Sequence, residues 1–198
     1  MSDSFKTIST TSTGIYKEKG SKFISFATPI NTSEEAIEIV KNYRKEYFDA
    51  RHVCFAYMIG SERNDFRAND DGEPSGTAGR PILGQINSFE LTNILIIVVR
   101  YFGGVLLGTG GLTTAYKEAA LDAIREAEII EKTVDIFLHF SFDYLVMNDV
   151  MRLIKNVTVQ ILEQNFDNLC EMKLNIPKQY AVEMIHQLNK IEGLKILD

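Results

Sequence analysis

The chain has no tryptophan and only two cysteines and four prolines among its 198 residues, and no apolar run reaches the roughly 18 residues that a membrane span requires. Cys54 and Cys170 lie far apart, each inside an alternating apolar run. That predicts two buried free thiols, as a reducing compartment allows, and not a disulfide framework. A basic excess is also missing. The net charge is −6 and the isoelectric point about 5.2, so bulk attraction to nucleic acid is absent and any such contact needs a local basic patch. Neither G-x-x-x-x-G-K-[ST] nor G-x-G-x-x-G occurs, so a Walker-type phosphate loop and a dinucleotide fingerprint are unsupported and no cofactor is implied. The first residues, MSDSFKTIST, lack a charged-then-apolar signal pattern, and the expected location is the cytoplasm, with no membrane contact. Ordinary charged and apolar fractions without low-complexity tracts predict a chain folded throughout.

The most informative stretch is 94–127. Residues 94–99 are apolar on both faces and rich in β-branched side chains, the signature of a strand buried on both sides. Leu112, Ala115, Tyr116, Ala119, Ala120, Ala123, Ile124 and Ala127 then recur at helical spacing. Between strand and helix lies a loop with Arg100, Tyr101, Gly103, Gly104, Gly108, Thr109, Gly110 and Gly111. Glycine permits positive φ and close approach of a ligand to the backbone. A helix N-terminus after such a loop is a candidate anion cradle.

Upstream, residues 5–30 read as a hairpin broken near Thr13-Gly14 and Lys19-Gly20, with Lys17, Lys19 and Lys22 as a solvated edge. Thr32 followed by Glu35 matches a capping box, opening an amphipathic helix to about Phe48. Alternation over 53–59 predicts a second buried strand with His52 at its entrance. From Gly60 the chain turns polar and runs into DDGEPSGTAGRP, which is too rich in acids, glycine and proline for a regular element. Such a loop inside a compact domain is usually functional or disordered. Its Asp70, Asp71 and Glu73 offer carboxylates for a divalent cation and its Ser75 and Thr77 hydroxyls for a phosphate, and the small residues Ser75, Gly76, Thr77 and Ala78 predict an ordered, close-packed loop. A short helix over 81–91 leads into the buried strand.

After residue 133 the pattern restarts as strand (134–142), helix (144–154), strand (157–161), a turn over 165–168, strand (170–176), helix (from Pro177) and strand (194–196). This β-α-β-β-α-β order is that of a ferredoxin-like domain. The chain is therefore expected to be α+β in two domains, residues 1–130 and 131–198.

The segments DDGEPSGTAGRPIL and NILIIVVRYFGGVLLGTGGLTTAY, with ARHVCFAY upstream, closely resemble the YigZ/IMPACT family. The resemblance implies an N-terminal domain with the fold of the second domain of a small-subunit ribosomal protein, shared with small-metabolite kinases. It implies a C-terminal domain similar to a ferredoxin-like domain of translation elongation factor G. Eukaryotic IMPACT proteins dampen an amino-acid-starvation kinase that controls translation initiation, so a non-catalytic, translation-associated binding protein is expected. Its partner would be RNA, the ribosome or a ribosome-bound protein, met through the N-terminal loops. Arg51, Arg63, Arg67, Arg80 and Arg100 would supply the basic patch. The other reading is a small-molecule enzyme whose glycine loop holds phosphate while Asp71 and Glu73 serve a cation or act as a base. No catalytic residue is assigned.

Overall fold

The computed structural model describes residues 3–167 and 169–197, and it divides into two compact units. One spans Phe5–Lys132; the other runs from Thr133 onward and takes in Asp3 and Ser4. Helix and strand are mixed in both, giving an α+β architecture.

Five strands form the antiparallel sheet of the first unit: β2 (Ser12–Glu18), β3 (Ser21–Pro29), β4 (His52–Ile59), β5 (Asp65–Asn69) and β6 (Ile94–Tyr101), in the order β2-β3-β6-β4-β5. The all-apolar stretch is thus the central strand, and its alternation feeds two cores. Ile94, Ile96 and Val98 pack under helices α2 (Gly79–Ser88) and α3 (Gly108–Arg125). Leu95, Ile97 and Val99 meet α1 (Ser33–Glu46) on the opposite face. Arg100 follows the first set and Tyr101 the second.

The hairpin turns at Lys19-Gly20, where both residues have positive φ (46° and 81°), the geometry of a two-residue turn that matches strand twist. Thr13-Gly14 is no break. Gly14 lies inside β2, where a Cβ would collide with the backbone of Ala123 in α3, so glycine here serves close strand-helix packing. The strand before it, β1 (Ser4–Ile8), pairs not in that hairpin but with β7 (Ile129–Thr133), where only a break in pattern was visible. The Thr32 hydroxyl accepts from the Glu35 N–H at 3.2 Å and Glu35 accepts from Asn31 N–H at 2.8 Å, closing α1 at its start. Thr32→Ala should cost about 1 kcal/mol, read as a lower urea midpoint at unchanged slope.

Two expectations shift. The polar stretch after Gly60 contains β5, an edge strand whose first four residues are exposed and which therefore shows no apolar alternation. Also, Thr109, Gly110 and Gly111 form the first turn of α3 instead of a loop before it, while Gly108, on which α3 begins, has the positive φ (69°) expected of a glycine turn.

In the second unit the order is β8 (Asp135–Asp143), α4 (Met147–Lys155), β9 (Gln160–Phe166), β10 (Leu169–Pro177), α5 (Lys178–Leu188) and β11 (Lys195–Ile196). The antiparallel sheet runs β11-β8-β10-β9, the ferredoxin-like arrangement. Phe140, Phe142, Cys170, Met172 and Leu174 face the two helices. β9 begins three residues later than its pattern suggested, and as an edge strand it is exposed throughout. Asn168, read as part of the turn before β10, lies outside the described residues.

Candidate functional site

Two irregular segments converge beside the end of β6. Gly72, Glu73 and Pro74 from the acidic loop, and Phe102, Leu106, Leu107, Gly108 and Thr109 from the glycine segment, line a cleft of about 430 Å³ with Arg51, His52, Arg100 and Leu112. The acidic loop is held there by its own carboxylates. Asp70 accepts from the backbone N–H groups of Gly76 (2.8 Å), Ala78 (3.0 Å) and Gly79 (2.8 Å). Burial raises the Asp70 carboxyl, but these three donors outweigh it and hold the pKa below the ordinary aspartate value. Its folded pKa being depressed, Asp70 contributes stability that is complete above the unfolded aspartate value of about 3.9 and is lost as pH falls through the lower folded value. Urea midpoints measured from pH 5 downward should therefore fall less steeply in Asp70→Asn than in the wild type.

Asp71 has φ +46° and is fully engaged as well. Its Oδ1 meets Arg44 at 2.5 Å and its Oδ2 accepts from Val53 N–H at 2.7 Å. Its carbonyl sits 2.7 Å from His52 Nδ1, and since a carbonyl only accepts, Nδ1 carries the proton. The Thr77 hydroxyl donates to the Pro74 carbonyl at 2.6 Å. Ser75 and Arg80 are exposed, and the Arg80 side chain lies against Gly76.

Glu73 is the floor of the cleft. Its side chain is 4% exposed, and its Oε1 accepts from Arg100 Nη1 at 2.6 Å and from the Tyr116 hydroxyl at 2.8 Å. His52 Nε2 stands 3.8 Å from Oε2. Arg100 is clamped between the rings of Phe23 and Phe102, 5.5 and 5.6 Å from their centroids. Cys54 Sγ lies 3.3 Å from the Tyr116 oxygen and 3.0 Å from the Asp70 carbonyl. Burial above all pushes both the Cys54 thiol and the Tyr116 phenol well above their usual values, so neither is a nucleophile or base near neutral pH.

This geometry bears on the cation reading. Both Asp71 oxygens are taken by Arg44 and the Val53 amide, and Glu73 Oε1 by Arg100 and Tyr116, which leaves these two residues no open pair of carboxylates. Among the described residues no three His, Cys, Asp or Glu side chains are grouped to hold a metal ion. Tyr101 also leaves the site: it faces the α1 side and donates to Asp49 at 2.9 Å. Gly103 is structural, because a Cβ there would run into the backbone of Gly20 and Ser21. Gly104 (φ +87°) turns the loop in open space, and Gly110 and Gly111 sit in the first turn of α3, away from the cleft lining.

The five arginines do not gather into one patch. Arg51 and Arg100 are at the cleft, and Arg67 lies over Phe55 on the α1 face at 6.0 Å. Arg63 donates to Asn87 at 2.7 Å. Tyr116, Phe102 and Leu106 went unnoticed as site residues. Tyr116 hides in the apolar stripe of α3, although a tyrosine in an otherwise alanine-rich stripe carries a hydroxyl that needs a buried partner. The loop tip is apolar and open: Phe102 is 44%, Val105 50% and Leu106 83% exposed.

Comparison with known proteins places this geometry. Residues 19–124 match the model of the Impact N-terminal domain. IMPACT family member YvyE of Bacillus subtilis is 39% identical over 124 residues, which cover 63% of this chain and 57% of that protein, so the match spans little more than half of that relative. IMPACT family member YigZ of Escherichia coli is 31% identical over 86% of this chain and 84% of its own length. The Saccharomyces cerevisiae protein IMPACT homolog is 32% identical over 46% of this chain and 36% of its own. A crystal structure described as a hypothetical protein superposes with a TM-score of 0.77 at 29% identity, covering 100% of this chain and 98% of that one.

Proposed function

The chain belongs to the family defined by the Impact N-terminal domain, and from that premise we propose that it is a cytoplasmic, translation-associated binding protein that contacts single-stranded RNA through the N-terminal cleft. The translation link rests on the likeness to eukaryotic IMPACT proteins. One observation carries the choice of site: the cleft sets an exposed aromatic ring, Phe102, and an exposed cation, Arg51, beside the start of α3. A base stacks on an aromatic face whatever its identity, and a cation meets its phosphate. The dispersed arginines and the net charge of −6 argue against tracking a long backbone, so few phosphates are contacted.

Titration of a labelled ten-nucleotide single strand against the full chain tests this. Binding should fall with salt at a log-log slope of only about −1, as one or two phosphate contacts give. Phe102→Ala should weaken it about tenfold, the loss of one stacked base. A protein that binds neither single-stranded nor duplex RNA at low salt sinks the reading, and tight binding to a purified ribosomal protein instead would redirect it to a protein partner.

A further inference from the structure

The start of α3 and the buried guanidinium beside it point to one ligand group. This helix has 18 residues, its N-cap position is Leu107, and no side chain caps its first turn, which contains no acid. Its first N–H groups therefore have no intrahelical acceptor and lie at the positive end of the helix dipole. Gly108 and Thr109 line the cleft, and a Cβ on Gly108 would meet nothing within 4 Å, so the approach to the backbone is open.

Arg100 supplies an independent observation. Its side chain is only 7% exposed, it lines the same cleft, and its Nε is a buried donor without a hydrogen-bond partner. A buried donor left without an acceptor is unfavourable, and an anion drawn against this guanidinium would relieve it. Nη1 of the same guanidinium is bonded to Glu73, whose Oε1 also takes the Tyr116 hydroxyl. The carboxylate in the cleft is therefore neutralised and does not repel an anion as a bare one would. Arg51 adds a positive charge at the rim.

We propose that the cleft is a phosphate monoester site for a nucleotide, with the phosphate at the N-terminus of α3 between Arg51 and Arg100 and the base against Phe102. Its volume of about 430 Å³ suits one nucleotide and no duplex. The inference rests on the RNA reading and sharpens it: the chain takes the 5′-phosphorylated end of a strand. A terminal monoester carries close to two charges near neutral pH, against one for an internal phosphodiester, so a single uncapped helix start distinguishes an end from the interior. The same chemistry would also admit a free mononucleotide.

The test uses the full chain and a 3′-labelled ten-nucleotide RNA with either a 5′-phosphate or a 5′-hydroxyl, with AMP and inorganic phosphate as competitors. The 5′-phosphorylated strand should bind at least about tenfold more tightly, the worth of one charge-assisted contact, and AMP should displace it. Thr109→Asp places a carboxylate in the first helical turn, where the dipole favours it, so the fold should hold while the preference for the 5′-phosphate is lost. Equal binding of the two strands overturns the monoester site and leaves the RNA reading standing. Binding of AMP with neither RNA supports the site and overturns the RNA reading. Binding of no probe overturns both.

Discussion

Replacing Glu73 with alanine is expected to destabilise the protein by about 3–5 kcal/mol, because it leaves the Arg100 charge buried without its counter-ion. The carboxylate also takes the hydroxyl of Tyr116, which is 0% exposed, so that phenol loses its acceptor at the same time. Glu73→Gln should cost less, since an amide oxygen still accepts from Tyr116. A double variant, Glu73→Leu with Arg100→Met, should recover much of the loss, because two apolar side chains remove the uncompensated charge instead of exposing it. Urea unfolding of the full chain followed by circular dichroism measures all three. A Glu73→Ala midpoint within about 0.5 kcal/mol of wild type would mean that the ion pair is not the floor of the cleft.

Gly103→Ala should be nearly as damaging, at about 3 kcal/mol, for a steric reason. The added Cβ would collide with the carbonyl of Gly20 and the amide of Ser21, and backbone of a two-residue hairpin turn cannot move aside as a flexible side chain can. The collision also pushes the loop that carries Phe102 away from Arg100, so RNA binding should fall with stability. Gly84→Ala is the matched control. Gly84 lies inside α2 with nothing within 4 Å of its added Cβ, so alanine should stabilise by about 0.5–1 kcal/mol through helix propensity alone. If both substitutions gave the same small change in urea midpoint, the close approach of Gly103 to Gly20 would not be real.

Much of the frame is legible in the amino-acid order because its signals are local. An apolar run without a polar face can only be a strand covered on both sides, and residues 94–99 became the centre of the sheet. Thr32 and Glu35 announce a helix start by chemistry that spans four residues, and the start is there. β5 escaped because an edge strand exposed on both faces leaves no apolar period to read. The first turn of α3 escaped because three glycines in four residues argue against helix by propensity, and packing from Leu112 onward overrides it.

The site was harder to read. The alternation of β6 already separates Arg100 from Tyr101, yet both were grouped with the loop because they adjoin it in sequence. The pairing of Glu73 with Arg100 spans 27 residues and that with Tyr116 spans 43, and no local pattern announces such partners. Asp71 shows the same limit from the other side: an acidic cluster suggests a cation by composition, and only the fold shows that its oxygens tie the loop to Arg44 and to the strand amide of Val53.

Amide-resolved NMR of the full chain titrated with 5′-phosphorylated single-stranded RNA tests the central claim most directly. Shifts concentrated at Arg51, Phe102, Leu106, Gly108 and Thr109, growing with RNA, and weakened at Gly108 in Thr109→Asp while those at Phe102 persist, are the predicted result. Shifts confined to the sheet of the second unit, or to α1 and Arg67, would contradict it.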